Sequence, residues 1–288
     1  MQDIKTYLSP RGIDEAVRAM AAGDVTVFCG GTDLSPQVES GARQYTATLM
    51  NIRRVEGMSG IAEAGKLIRI GALTTVTEIR QDPLVAQVAP ILAEAAEHFA
   101  SDQIRNAASL GGNICNASPA GDMINPLLVL DAEVELARWQ DGAVATRRVA
   151  MADFFLAPRQ TAKRDGELLT AVFFARPATN FVACFRKSGP RPALEISTVS
   201  VGIGGRLDNG VFRDVRVAMG SVAPTPLRAR HVEAALEGKR LDADGILAAV
   251  AAAKTDAKPI DDVRASAWYR EHLVQVFTEE VLNHVLGN

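Results

Sequence analysis

Hydrophobic positions in the first fifty residues follow two different periods. Ile13, Ala16, Val17 and Met20 fall at helical spacing ahead of Gly23, which predicts an amphipathic helix with a glycine stop. Residues 25–29 form a short β-branched run ending in Gly30-Gly31 and predict a strand. Further strands are expected over 46–52 and over 66–70, where polar and apolar residues alternate before Gly71. A helix should open within 74–80, capped by Thr75 or Thr77. Residues 90–100, rich in Ala, Leu and Glu with Pro90 at the start, predict another helix.

The stretch 107–122 carries too much Gly, Asn, Ser and Pro to be one regular element. Residues 125–130 form a compact apolar segment, and 132–137 alternate like a strand. Asp141-Gly142 marks a hairpin returning over 144–149, and Asp208-Asn209-Gly210 marks another between 195–207 and 212–219. From about residue 228 the pattern turns helical, most clearly over 241–253 and 266–286. Near 176–180 Pro177 separates two apolar strands, and the domain boundary is expected there.

Composition narrows the function classes. The chain has 288 residues, 48% hydrophobic and 23% charged, enough for one large domain or two smaller ones. Thirty-one basic residues against 34 acidic ones give a net charge of -3, which leaves no basic excess for nucleic acid. The longest apolar run, 246–253, is mostly alanine and far short of the ~20 residues of a membrane span. The N-terminal residues lack an apolar signal-peptide core. Cys29, Cys115 and Cys184 lie far apart, so neither a disulfide framework nor a metal knuckle is expected, and a cytoplasmic location is.

Two glycine-pair loops remain as candidate chemistry. The first is Val27-Phe28-Cys29-Gly30-Gly31-Thr32-Asp33; the second runs from Ser109 through Gly112, Asn113, Cys115 and Asn116 to Asp122. Glycine lets backbone N–H groups converge on an anion, and Thr, Ser and Asn add neutral donors. Asp33 and Asp122 suit donors such as ribose hydroxyls or a neighbouring loop. A lone Gly-Gly loop after a strand is more often a plain turn than a binding site; two together bring the readings level and suggest a long ligand with a diphosphate and a sugar. No GxxxxGK[ST] is present, and 202–207 lacks the last glycine of GxGxxG, so a dinucleotide would need a non-Rossmann fold.

The first loop, with the stretch Gln-Ile-Arg-Asn-(x)3-Leu-Gly-Gly-Asn-Ile-(x)-Asn-Ala-Ser-Pro-Ala-(x)-Asp, resembles the FAD-binding subunits of molybdenum hydroxylases. These include the medium subunit of aerobic carbon monoxide dehydrogenase and the flavin domain of xanthine dehydrogenase. The likeness continues through Asp153-Phe-Phe, Glu167-Leu-Leu, Phe185-Arg-Lys-Ser-Gly, Ala193-Leu-Glu-Ile and Gly220-Ser-Val-Ala-Pro-Thr-Pro, so it covers essentially the whole chain. It implies an α+β fold. A PCMH-type FAD-binding domain over 1–176, with two α/β subdomains of about 1–55 and 56–176, precedes a C-terminal domain over 177–288. That last domain would combine an antiparallel sheet with a helical bundle.

The resemblance also implies roles. Residues 28–33 should cradle the FAD pyrophosphate, with Val27 leading into them, while Ser109, Gly112, Asn113, Cys115 and Asn116 lie along the phosphate and flavin side. Asp122 should reach a sugar hydroxyl or the adenine side, Phe99 should lie near the cofactor, and Leu169 should pack on the adenosine or flavin side. Lys187 should lie near the isoalloxazine or ribityl chain. Thr32 follows Gly31 and His98, His231, His272 and His284 lie outside both loops, so the flavin should be noncovalent. No catalytic acid–base set or metal ligand set is expected. The implied function is electron transfer, from a 2Fe-2S small subunit through FAD to an external acceptor, beside a molybdenum-cofactor large subunit, as a dimer of heterotrimers. A self-sufficient flavin oxidase or dehydrogenase, or a subunit whose FAD site has decayed, are the alternatives.

Overall fold

A computed structural model describes residues 3–191 and 195–287. The family motif residues Ala193 and Leu194 lie outside them. The first unit runs β1 (Thr6–Leu8), α1 (Ile13–Ala22), β2 (Val25–Phe28), α2 (Leu34–Glu39) and β3 (Thr48–Asn51). Its parallel sheet has the order β1-β3-β2. The β2 strand thus delivers the first glycine loop at its carboxyl end, the usual place for a ligand beside parallel strands.

Next come β4 (Ile61–Ala64), β5 (Leu67–Gly71), α3 (Val76–Gln81), α4 (Pro83–Val88), α5 (Pro90–Glu97), α6 (Asp102–Arg105), α7 (Leu110–Asn116) and α8 (Ile124–Val129). They are followed by β6 (Glu133–Gln140), β7 (Ala143–Ala150), α9 (Met151–Phe154), β8 (Phe155–Ala157), β9 (Gln160–Thr161) and β10 (Leu168–Ala175). An antiparallel sheet of order β4-β5-β10-β6-β7 organises this part. Thr75 caps α3 in a full capping box with Glu78. Asp141 and Gly142 both take positive φ, 52° and 82°, as the hairpin signal requires.

One expectation needs correction here. The helix expected over 90–100 stops at Glu97, because the buried Arg105 guanidinium takes the carbonyls of Glu97 and Phe99 at 3.1 and 2.6 Å and bends the chain away. The stretch 107–122 is not one regular element, as expected: α7 occupies only its middle, between turns. The Ser109 hydroxyl caps the Gly112 N–H at 3.1 Å, and the carbonyls of Thr74 and Ala72 accept from Leu110 and Gly111. Tertiary partners therefore satisfy the first turn and override the poor helix propensity of two glycines.

The last unit contains β11 (Phe181–Ser188), β12 (Val199–Asp208), β13 (Val211–Gly220), β14 (Leu227–Arg228), α10 (Arg230–Leu236), α11 (Ala243–Asp256) and α12 (Ala267–Gly287). Its antiparallel sheet has the order β11-β12-β13-β14. The strand expected from 195 begins only at Val199, because Ser197 and Thr198 bind side chains described below. Successive residues of β11 face opposite sides. Phe185 enters the core shared with α5 and α8, whereas Cys184 enters the core shared with α10, α11 and α12. On β12, a Cβ on Gly204 would lie 2.7 Å from the Val129 side chain, so its glycines admit α8 rather than a nucleotide. Glu94 of α5 pins the seam, accepting from the Phe185 N–H at 2.7 Å and pairing with Arg186.

Candidate functional site

The first loop leaves β2 with the Phe28 carbonyl still accepting from the Ile52 N–H at 2.9 Å. Val27 and Phe28 are half-buried in the strand, and the Phe28 ring lies under Gly31, where an added Cβ would come within 2.7 Å of it. Gly31 has φ +71°, so glycine is needed there for conformation as well as space. Among the described residues, the N–H groups of Gly30, Gly31, Thr32 and Asp33 find no acceptor. Four consecutive free donors on a glycine turn are available to an anion.

The two loops meet directly. A Cβ on Gly30 would sit 2.0 Å from the Ala107 carbonyl oxygen, so the backbones touch. The Cys29 thiol and Ser109 hydroxyl lie 3.2 Å apart, and a Cβ on Gly112 would approach both. Further out, Gln37 of α2 donates to Asn116 Oδ1 at 3.2 Å and to the Asp33 carboxylate. Gln37 was not singled out in the sequence; its position four residues after Asp33, on the same helix face, was the available signal. The Asn113 side-chain oxygen is buried without a partner among the described residues. A buried orphan acceptor is rare and points to a missing donor. Cys115 is exposed on the same helix.

Phe99 stands half-buried on the turn that Arg105 holds, three residues before α6. Leu169 is buried on β10, beside Thr170, whose carbonyl accepts from Ala72; Ala72 in turn accepts from Gly111 at the start of α7. Asp122 and Lys187 meet each other: Nζ lies 2.6 Å from Oδ2 with both side chains almost fully buried. Ser197 donates to the other carboxylate oxygen. Burial pushes the Asp122 carboxyl up, and the Lys187 ammonium and Ser197 hydroxyl pull it back without cancelling the rise. Lys187 also donates to the Glu195 carbonyl at 3.4 Å, so a third ammonium N–H stays uncommitted among the described residues.

A cavity of about 630 Å³ opens between the end of α1, the start of β2 and the β8–β9 hairpin, and no residue of either glycine loop lines it. Lys163, Arg164 and Asp165 line it with Gln160 and Thr161, and the hairpin is fastened to the end of α7 by the Arg159 N–H on the Ala117 carbonyl. Among the described residues no group of three or more His, Cys, Asp and Glu side chains could hold a metal ion. No helix of the described chain is long and apolar enough to cross a membrane.

The family model for the FAD binding domain in molybdopterin dehydrogenase matches residues 2–177, and that for the CO dehydrogenase flavoprotein C-terminal domain matches 183–285. The xanthine dehydrogenase FAD-binding subunit of Escherichia coli O157:H7 is 31% identical over 100% of this chain and 98% of its own. The carbon monoxide dehydrogenase medium chain of Hydrogenophaga pseudoflava is 28% identical over 96% of this chain and 95% of its own. A solved structure of carbon monoxide dehydrogenase from that organism superposes with a TM-score of 0.94 at 27% identity, covering 100% of this chain and 99% of the other.

Proposed function

This chain belongs to the FAD-binding subunits of the molybdopterin dehydrogenases, with FAD as its cofactor, and from that premise we propose that it is the electron-transfer subunit of a molybdenum hydroxylase. It works beside a molybdenum-cofactor large subunit and a 2Fe-2S small subunit, as a dimer of heterotrimers in the cytoplasm. Residues 1–176 form the cofactor-binding domain and 177–288 the C-terminal domain that closes over it. Bound FAD supplies the redox chemistry, exchange of electrons between the iron–sulfur partner and an external acceptor.

The residues fit that group. The four free N–H groups of Gly30, Gly31, Thr32 and Asp33 suit a diphosphate, and the touching backbones of Gly30 and Ala107 leave no side chain in its path. Gln37 holds the Asp33 carboxylate by an amide hydrogen bond, which fixes its direction. Ser109, Gly112, Asn113, Cys115 and Asn116 lie along the phosphate and flavin side, the orphan oxygen of Asn113 accepting from the cofactor. Phe99 and Leu169 supply apolar contact, and the spare Lys187 donor faces the flavin. Neither loop offers a histidine for covalent attachment, so the cofactor is held noncovalently.

The contact between the two glycine loops carries this reading. Gly112→Leu crowds that contact and Asn113→Leu removes the orphan acceptor, and each variant, purified with its partners, should lose the flavin absorbance of the parent complex. Retention of full FAD in both would refute the loop assignment. Copurification of chains containing molybdenum and iron tests the assembly.

A further inference from the structure

A buried polar chain leads from the Asp122–Lys187 pair to the C-terminal helix. Ser197, itself buried, donates its hydroxyl to Asp122, and its carbonyl accepts from the Ser221 hydroxyl at 2.8 Å. Ser221 takes φ +62° and donates its N–H to the Pro119 carbonyl at 2.8 Å, in the tail of the second glycine loop. The Ser221 carbonyl accepts from Arg270 of α12 at 2.7 Å, and the Thr198 carbonyl accepts from the same nitrogen at 3.1 Å. Asp262 holds the other end of the guanidinium at 2.7 Å.

Arg270 is 5% exposed, and its neighbours on α12 that face the sheet are Leu273, Val274, Phe277 and Val281. Taking a guanidinium out of water is costly, and an apolar side chain would pack the helix at no such cost. What Arg270 adds is geometry. One nitrogen ties the entry of β12 to the turn after β13, and these two segments present Ser197 to Asp122 and Ser221 to Pro119. Asp262 is set for this: burial raises its carboxyl, yet the N–H groups of Arg264 and Ala265 with the Arg270 guanidinium outweigh that and hold it below the usual range.

We infer that Arg270 is a positioning residue for the flavin site, fixing the orientation of Asp122 and Lys187 through Ser221 and Ser197. The inference rests on the reading that Asp122 and Lys187 belong to that site. Through this chain the C-terminal helix sets how the spare Lys187 donor meets the cofactor.

The test uses the full chain with FAD titration by flavin fluorescence, flavin midpoint potential by spectroelectrochemistry, and melting temperature. Arg270→Met and Ser197→Ala should each weaken FAD roughly fivefold to tenfold and shift the potential in the same direction. Arg270→Lys should restore part of both. Combined, Arg270→Met should add little to Ser197→Ala, because the two act in series. Should Arg270→Met fail to fold, Asp262→Asn frees one end of the guanidinium and should shift both readouts the same way, by less. A lowered melting temperature with unchanged affinity and potential would overturn the relay. Lys187→Met separates the two ideas. If it moves both readouts while Arg270→Met moves neither, the relay alone is wrong; if neither variant moves them, the site assignment itself is wrong.

Discussion

Gly30 and Ala107 touch backbone to backbone, with only 2.0 Å between the Ala107 carbonyl oxygen and the place a Gly30 Cβ would occupy. Nothing flexible can yield there, because the obstacle is main chain. Gly30→Ala must therefore push the two loops apart. Overpacking of this kind costs ~1–3 kcal/mol. We expect a lower melting temperature and a larger loss of FAD affinity, since the displaced groups are the proposed phosphate donors. Equal FAD binding by parent and variant in a fluorescence titration would contradict this geometry.

Arg105 is the second fixed point. Its guanidinium reaches the carbonyls of Glu97 and Phe99 and the Asp102 carboxylate at 2.7 Å, and it is buried. Arg105→Met leaves those part-buried carbonyls without this donor, at roughly 1–3 kcal/mol. Arg105→Lys keeps the charge but loses the fork, so it should recover only part of the loss. Chemical denaturation should rank the variants in that order, and proteolysis should cut first near Phe99. A Lys variant as stable as the parent would count against the multi-carbonyl clasp.

The buried Glu167 provides a pH signature. Burial raises its carboxyl, but a two-pronged Arg147 contact at 2.6 and 2.8 Å and the Arg164 N–H outweigh burial and hold it below its ordinary 4.5. A carboxyl with a lowered folded-state value binds its proton more readily when unfolded. Its stabilisation is therefore full above about pH 4.5 and disappears as pH falls through the folded-state value. The stability gap between parent and Glu167→Gln should be constant from neutral pH to about that point and shrink below it. A gap that widens on acidification would reverse the assigned sign.

Much of the fold is legible in the chain because its signals are local. The 3.6-residue period of α1 and the dipeptides Asp141-Gly142 and Asn209-Gly210 each carry their own geometry. Helix α7 is not legible, because its glycines and asparagines disfavour helix and the partners of its first turn, Ala72 and Thr74, come from a distant segment. In the candidate site the glycine loops stand out by composition, whereas their mutual contact does not. Asp122 and Lys187 lie 65 residues apart, and no spacing rule joins them. Arg270 is hidden for the same reason: the carbonyls it serves, of Thr198 and Ser221, lie 72 and 49 residues away.

Gln37 ties the outer ends of the two loops, with one amide nitrogen serving Asn116 at 3.2 Å and the Asp33 carboxylate together. The contact is half-exposed and joins neutral to neutral on one side, so its worth to global stability is small. Its worth to the ligand is different. Without the amide, the Asp33 carboxylate turns free beside the four N–H groups proposed to bind an anion, and Asn116 loses its anchor. Gln37→Leu should leave the melting temperature of the FAD-free chain nearly unchanged while weakening FAD by roughly fivefold, the equivalent of about 1 kcal/mol for one hydrogen bond. Asp33→Asn in the same background removes the repulsion and should restore much of the affinity. If the double variant binds no better than Gln37→Leu, the role of Gln37 is to anchor Asn116 rather than to occupy Asp33.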